Sequence, residues 1–131
     1  MNTQKLAKLF GWVFLIIGVL GFVPGITGNG HLLGIFEVDS LHNIIHLLSG
    51  VLALWLGKSE SGAKTYFKVF GVVYALVTVL GFLSGTVLGL ISVNLADNVL
   101  HLVIAAIALW AGFSGSKPAM QMPPQQGGMK M

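Results

Sequence analysis

The feature that most constrains this chain is a set of four long apolar stretches that contain very few charged residues. Their predicted bounds are Leu6 to Val23, Ser40 to about Leu56, Tyr66 to about Leu83 and Leu95 to about Phe113. Each approaches the ~20 residues that a helix needs to cross a bilayer. Only 8% of the residues are charged, against about a quarter in a typical soluble domain. We therefore predict an all-α fold, a four-helix transmembrane bundle over residues 1–113, with Asp39 or Ser40 capping the second helix and Asn94 the fourth.

A secretory signal peptide is the alternative interpretation of the first stretch, because Lys5 and Lys8 precede an apolar run. Two observations count against it. No small-x-small cleavage site follows the run, and the same segment returns later in the chain as an internal copy. We expect the first stretch to be retained as a helix that ends near Pro24 and Gly25.

The connections between the stretches are rich in glycine and other turn formers. Residues 24–40 and 84–93 connect the helices within each hairpin, and residues 57–65 form a polar loop between the hairpins. We expect the apolar middle of the first connection, Leu32 to Val38, to lie at the membrane interface as a short helix. The Pro/Gln/Gly/Met-rich tail, residues 114–131, has too few apolar side chains to fold and is predicted to be disordered.

An internal repeat is the strongest structural signal in the chain. Lys8 to Gly25 aligns without gaps on Lys68 to Gly85, and 9 of these 18 positions are identical. After five extra residues in the first connection, Leu33 to Gly57 aligns on Leu88 to Gly112, with 10 of 25 positions identical. The chain is therefore predicted to be a duplicated helical hairpin, with repeat one at 6–57 and repeat two at 66–112.

The distribution of charge predicts the orientation in the membrane. All seven basic residues lie near the chain ends or the middle loop: Lys5, Lys8, Lys58, Lys64, Lys68, Lys117 and Lys130. The other two connections hold Glu37 and Asp39 and no Lys or Arg. The positive-inside rule then places both termini in the cytoplasm of a multi-pass inner-membrane protein, with the hairpins as a parallel repeat. Trp12, Trp55 and Trp110 then lie at the cytoplasmic interface. Such dispersed lysines do not form a nucleic-acid-binding face.

Polar side chains recur at equivalent positions of the second and fourth stretches, and they are the best functional lead. They are His42, Asn43 and His46 in the second stretch, and Asp97, Asn98 and His101 in the fourth. Polar groups inside lipid-soluble segments are costly and usually face a partner, a cavity or a site. Because residues four apart share a helix face, each pair of ionisable residues points the same way.

Small residues continue each polar face toward the cytoplasmic end. The second stretch continues through Gly50, Ala53 and Gly57, and the fourth through Ala105, Ala108 and Gly112. Small residues at this spacing let helix backbones approach closely in lipid. We therefore expect the second and fourth helices to cross near the pseudo-two-fold axis and to bring the polar pairs together, with the first and third helices flanking them.

The converging pairs would supply a chemically sensible metal site. The candidate ligands are His42, His46, Asp97 and His101, three imidazoles and one carboxylate that suit Zn²⁺ or another first-row divalent ion. Asn43 and Asn98 could orient these ligands from behind, and His31, Glu37 or Asp39 could complete the set.

Three other interpretations stay open. The polar side chains could hydrogen-bond across helices only to fix packing, at about 0.6 to 2 kcal/mol each. His46 and His101 could be axial ligands of haem or another tetrapyrrole, although small residues leave little room for a macrocycle. The histidines could also relay protons or ions, since histidine titrates near neutral pH. No charged residue lies deeper in any of the stretches to continue such a path.

The stretches from Val19 to Gly25 and from Leu33 to Gly50 resemble a bacterial family of small four-span membrane proteins known only as a domain of unknown function. The Leu-His-Asn-x-x-His-x-x-x-Gly pattern that begins at Leu41 is the most specific part. The resemblance covers about residues 6–113. It implies a multi-pass membrane protein and supplies no activity, ligand or catalytic residue.

The sequence favours a structural or accessory membrane protein, as an oligomer or part of a larger membrane complex. The alternative is a metal-binding protein with its site at the extracytoplasmic ends of the second and fourth helices. An enzyme comes third: no catalytic triad, paired catalytic carboxylates or nucleotide motif is present, so a metal would have to supply the reactivity.

Overall fold

The computed structural model describes residues 2–115, and this part of the chain contains four helices and five two-residue strands. The helices are α1 (Thr3–Leu20), α2 (Ser40–Leu56), α3 (Glu60–Ser84) and α4 (Leu95–Phe113). Between α1 and α2 lie β1 (Thr27–Gly28), β2 (His31–Leu32) and β3 (Phe36–Glu37); between α3 and α4 lie β4 (Thr86–Val87) and β5 (Ile91–Ser92). Residues 116–131 of the predicted disordered tail lie outside the described residues.

Three helices, α1, α3 and α4, are long and apolar enough to cross a membrane. Helix α2 has 17 residues, which corresponds to ~26 Å at the usual rise per residue. The outward-facing side chains are largely Leu, Val, Ile, Phe and Trp, and Trp12, Trp55 and Trp110 are each more than half exposed. A surface this apolar suits lipid rather than water, which agrees with the membrane character predicted from composition.

The core is aromatic and is built mainly by α1 and α3. Phe10 of α1 packs edge-on against Phe67 of α3, with ring centroids 5.1 Å apart. Phe14 packs in the same manner against Phe70, at 5.3 Å. The main helix pairs are α1 with α2 and α3 with α4, and α3 also contacts α1 and α2. The two hairpins are therefore joined chiefly through α3.

The small-residue faces pack within each hairpin, so the expectation that they join α2 to α4 is wrong. A Cβ atom on Gly50 would lie 2.8 Å from the carbonyl oxygen of Gly11 in α1. A Cβ atom on Gly112 would lie 2.6 Å from the backbone nitrogen of Lys68 in α3. The main helix pairs are therefore those within each hairpin, α1 with α2 and α3 with α4, and the glycines allow their backbones to approach closely.

The two Gly-rich connections contain strands, so the fold is not purely helical and the short helix predicted within Leu32 to Val38 is absent there. Strands β1, β2 and β3 form one antiparallel sheet, and β4 pairs with β5 in another. Leu33 and Gly34 both have positive φ, as do Leu88 and Gly89. Right-handed helices require negative φ, so two consecutive residues of this kind exclude a helix here. The five extra residues of the first connection supply β1.

The helix starts are set by polar caps. Asp39 caps α2 by accepting from the backbone N–H of His42 (2.8 Å), and Asn94 caps α4, as predicted. Helix α3 begins at Glu60, well before the predicted Tyr66. Ser59 caps it by accepting from the N–H of Gly62 (2.9 Å), so most of the predicted polar loop is helical.

Candidate metal centre

The three histidines of the predicted site meet between α2 and α4. His42 and His46 lie in the first turns of α2, and their ring centroids are 4.5 Å apart. The ring of His101, from the second turn of α4, lies 5.7 Å from His42 and 6.3 Å from His46. Ligating nitrogens of the three rings all lie within 4.8 Å of one another. The expected convergence therefore occurs through side chains, although α2 and α4 are not one of the main helix pairs.

The three rings are buried and lack hydrogen-bond partners. His42, His46 and His101 are 3%, 7% and 4% exposed, respectively. In each ring the Nδ1 atom is fully buried and makes no hydrogen bond to any described residue. Leaving a buried polar atom unpaired costs about 1–3 kcal/mol. Each of the three rings therefore keeps a nitrogen that no described residue pairs.

Aromatic rings hold two of the histidines in position. Phe14 packs edge-on against His46 and Tyr74 against His101, both with centroids 5.4 Å apart. The hydroxyl groups of Tyr74 and Ser49 lie 3.3 Å apart at hydrogen-bonding distance, which fixes the tyrosine ring. Phe14 and Tyr74 are equivalent in the repeat alignment, as are His46 and His101. The sequence analysis did not single out this aromatic pair, yet its equivalent positions in both copies were a usable signal.

The sequence predicts four ligands, but the cluster of metal-binding side chains among the described residues contains only His42, His46 and His101. Asp97 lies outside it. Its Oδ2 atom accepts from the backbone N–H of Asn94 (2.9 Å) and from that of Glu37 (3.1 Å). The first of these bonds belongs to the capping box of α4. The second comes from β3 in the other hairpin, so Asp97 serves as a connector between the hairpins.

A similar bond crosses in the opposite direction. Oδ2 of Asp39 accepts from the backbone N–H of Ser92 in β5, at 3.0 Å. Glu37 and Ser92 are equivalent in the repeat alignment, so each hairpin offers the same backbone N–H to a carboxylate of the other. Neither Asp39 nor Glu37 belongs to the histidine cluster, and Nδ1 of His31 instead lies 2.9 Å from the carbonyl oxygen of Asn29.

The two asparagines pack on glycines of the neighbouring helices. The side-chain oxygen of Asn43 occupies the space where a side chain on Gly21 would begin, and Asn98 is placed in the same way against Gly81. Both oxygens are buried without a hydrogen-bond partner. The structure therefore places the asparagines in helix contacts, and it shows no hydrogen bond from either to a histidine.

Two cavities lie beside the cluster. One of about 220 Å³ is lined by all three histidines together with apolar side chains of α2, α3 and the β4–β5 hairpin. The other, of about 90 Å³, is lined by His46, His101 and Asp97 with residues of α1, α4 and the first connection. Both are smaller than the ~300–1,000 Å³ of a typical pocket for a drug-sized ligand, which disfavours a haem.

Residues 4–114 match the model of a protein family described as a domain of unknown function, DUF4383. The chain belongs to this family. The match covers nearly all of the described residues and confirms the resemblance identified from the sequence. No curated protein and no solved structure matches the chain. The DUF4383 family carries no described activity to transfer, so the function has to be argued from the histidine cluster itself.

Proposed function

We propose that this DUF4383 protein is a multi-pass membrane protein that binds a divalent first-row transition metal ion through His42, His46 and His101. The observation that carries the proposal is the convergence of three buried histidines: one ring nitrogen from each lies within 4.8 Å of the others, and the Nδ1 atom of each ring has no hydrogen-bond partner among the described residues. In a tetrahedral zinc site with Zn–N bonds of ~2.0–2.1 Å, neighbouring nitrogens lie roughly 3.4 Å apart. The ring nitrogens lie within 4.8 Å of one another, so the three rings would move closer together on binding.

The donor set favours particular ions. Imidazole nitrogens suit zinc, copper, iron and nickel, whereas calcium and magnesium prefer oxygen ligands. The chain has no cysteine, so thiolate sites are excluded. Zinc is the reference ion for the tests that follow because it is bound without redox chemistry.

Purified protein stripped by a chelator is expected to unfold at a higher temperature after zinc is added. A ligand that binds only the folded state at 100 times its Kd stabilises it by ~2.7 kcal/mol. The measurement is thermal unfolding in mild detergent, on protein without a histidine tag. No stabilisation by Zn²⁺, Cu²⁺, Ni²⁺ or Fe²⁺ would remove the support for a metal site.

A structural or accessory role is the second candidate, and a specific observation favours it. The rings of His42 and His46 on α2 lie against the ring of His101 on α4, with centroids 5.7 and 6.3 Å apart, and thus join the two hairpins. Under this alternative, a His46→Phe/His101→Phe variant would keep the stability of the stripped wild type, and zinc would affect neither protein. An oligomer or a larger membrane complex would then provide the partners.

We infer that the domain is a duplicated hairpin with both termini in the cytoplasm of an inner-membrane protein. The lysine distribution supports this orientation. Because the chain has no cysteine, single cysteines report on each side without background labelling. In intact cells, Asn29→Cys in the first connection is expected to react with a membrane-impermeant maleimide, and Ser61→Cys only after permeabilisation. The reverse pattern would overturn the orientation.

A further inference from the structure

We propose that the metal centre has an open coordination position that takes a small monoanionic ligand from the 220 Å³ cavity between α2 and α3. The inference rests on the metal binding proposed above. It concerns the ligand class that the site accepts, and the experiment below separates its failure from a failure of metal binding.

The open position follows from how neighbouring donors are used. Among the described residues, only the three histidines form a cluster of metal-binding side chains. Asp97 lies outside this cluster, and its Oδ2 atom accepts two backbone N–H groups; the hydroxyl of Tyr74 is at hydrogen-bonding distance from Ser49. A tetrahedral ion held by three protein ligands leaves its fourth position for an external ligand, as in catalytic zinc sites.

The geometry indicates which cavity this position faces. All three histidines line the 220 Å³ cavity, whereas His42 is missing from the lining of the 90 Å³ cavity on the other side. A fourth ligand, bound to a metal ion that all three rings coordinate, would therefore occupy the larger cavity. The β4–β5 hairpin and α3 form the walls of this cavity opposite the histidines.

Charge and size define the ligand class. Three neutral imidazoles leave a bound divalent ion with its full double charge, and an uncompensated buried charge is costly. The other wall residues are apolar apart from Tyr74: Ile45, Val73, Val77, Val87, Leu88, Ile91 and Val93. An anionic ligand would lower the net charge. The cavity volume of about 220 Å³ corresponds to roughly seven water molecules of ~30 Å³ each, so the cavity has room for a small ligand. Azide is a suitable probe because it is a linear three-atom monoanion.

The test uses the full-length protein loaded with Co²⁺, whose visible d–d absorption reports on its coordination. Titration with azide is expected to change the wild-type spectrum in a saturable manner. Val77→Phe, which fills the cavity, is expected to keep the cobalt spectrum and to weaken azide binding at least tenfold. The control is Val79→Phe on the exposed face of α3, which should bind azide like the wild type. Val77→Leu, with a smaller effect expected, replaces Val77→Phe if the latter loses cobalt.

The outcomes separate the two proposals. Bound cobalt whose spectrum is unchanged by azide would overturn the open position and leave metal binding intact. Azide binding that is equally strong in the Val77 variants and in Val79→Phe would overturn the assignment to this cavity. A chain that binds no cobalt at all would overturn both proposals.

Discussion

Replacing His101 with alanine is expected to weaken zinc binding about 100-fold or more. Structural zinc sites bind with ~10–16 kcal/mol, or roughly 3 kcal/mol for each of four ligands, and every 1.4 kcal/mol is a factor of about ten. His101 is the only one of the three donors on α4, so its removal leaves two ligands on a single helix. The measurement is a competition titration of stripped protein with a chromophoric zinc chelator.

His31→Ala is the matched control for this titration. His31 lies on β2, its Nδ1 atom is near the carbonyl oxygen of Asn29, and it does not belong to the cluster. The control should bind zinc like the wild type. Equal zinc affinity in the His101→Ala and His31→Ala proteins would contradict the assignment of the ligands.

Replacing Asp97 with alanine is expected to lower the free energy of unfolding by about 3 kcal/mol or more. The carboxylate accepts from the backbone N–H groups of Asn94 and Glu37, and hydrogen bonds to charged groups contribute about 1.5–3 kcal/mol each. The side chain is only 3% exposed, so water cannot replace it fully. Thermal unfolding in detergent measures the loss. Zinc affinity of the folded variant should stay within tenfold of the wild type, because Asp97 lies outside the proposed set of ligands.

Glu60→Ala is the control for the loss of a carboxylate. Glu60 pairs with Lys64 at 3.5 Å on an exposed surface of α3, and such pairs contribute at most about 1 kcal/mol. Its removal should shift the unfolding temperature little. If Asp97→Ala unfolds at the same temperature as Glu60→Ala, the bond between the hairpins does not stabilise the fold. A large loss of zinc affinity in folded Asp97→Ala would return Asp97 to the ligand set.

The helices could be predicted because their signals are local. Apolar runs, the caps at Asp39 and Asn94, and the scarcity of charge all lie within short windows of sequence. The strands could not be predicted, because the turns at Leu33 and Leu88 require a positive φ, which is uncommon for leucine. Helix α3 starts early because Ser59 caps it. The polar residues around Ser59 are equally typical of a loop, which is why the sequence predicts a loop over residues 57–65.

The candidate site could be predicted only in part. Helical spacing and the repeat identified His42, His46 and His101 as neighbours, and the structure brings them together. Asp97 was grouped with them because it aligns with His42, but spacing does not show that a carboxylate is already used by Glu37 of the other hairpin. The small-residue faces could be recognised, whereas their packing partner could not, since any apolar helix can accept such a face.

The metal content of the purified protein tests the central claim most directly. The protein would be purified in mild detergent without chelator or histidine tag, beside a His46→Ala/His101→Ala variant, and analysed by inductively coupled plasma mass spectrometry. We predict close to one equivalent of a transition metal in the wild type and almost none in the folded variant. Equal metal content in both proteins, or none in the wild type, would contradict a metal centre at His42, His46 and His101.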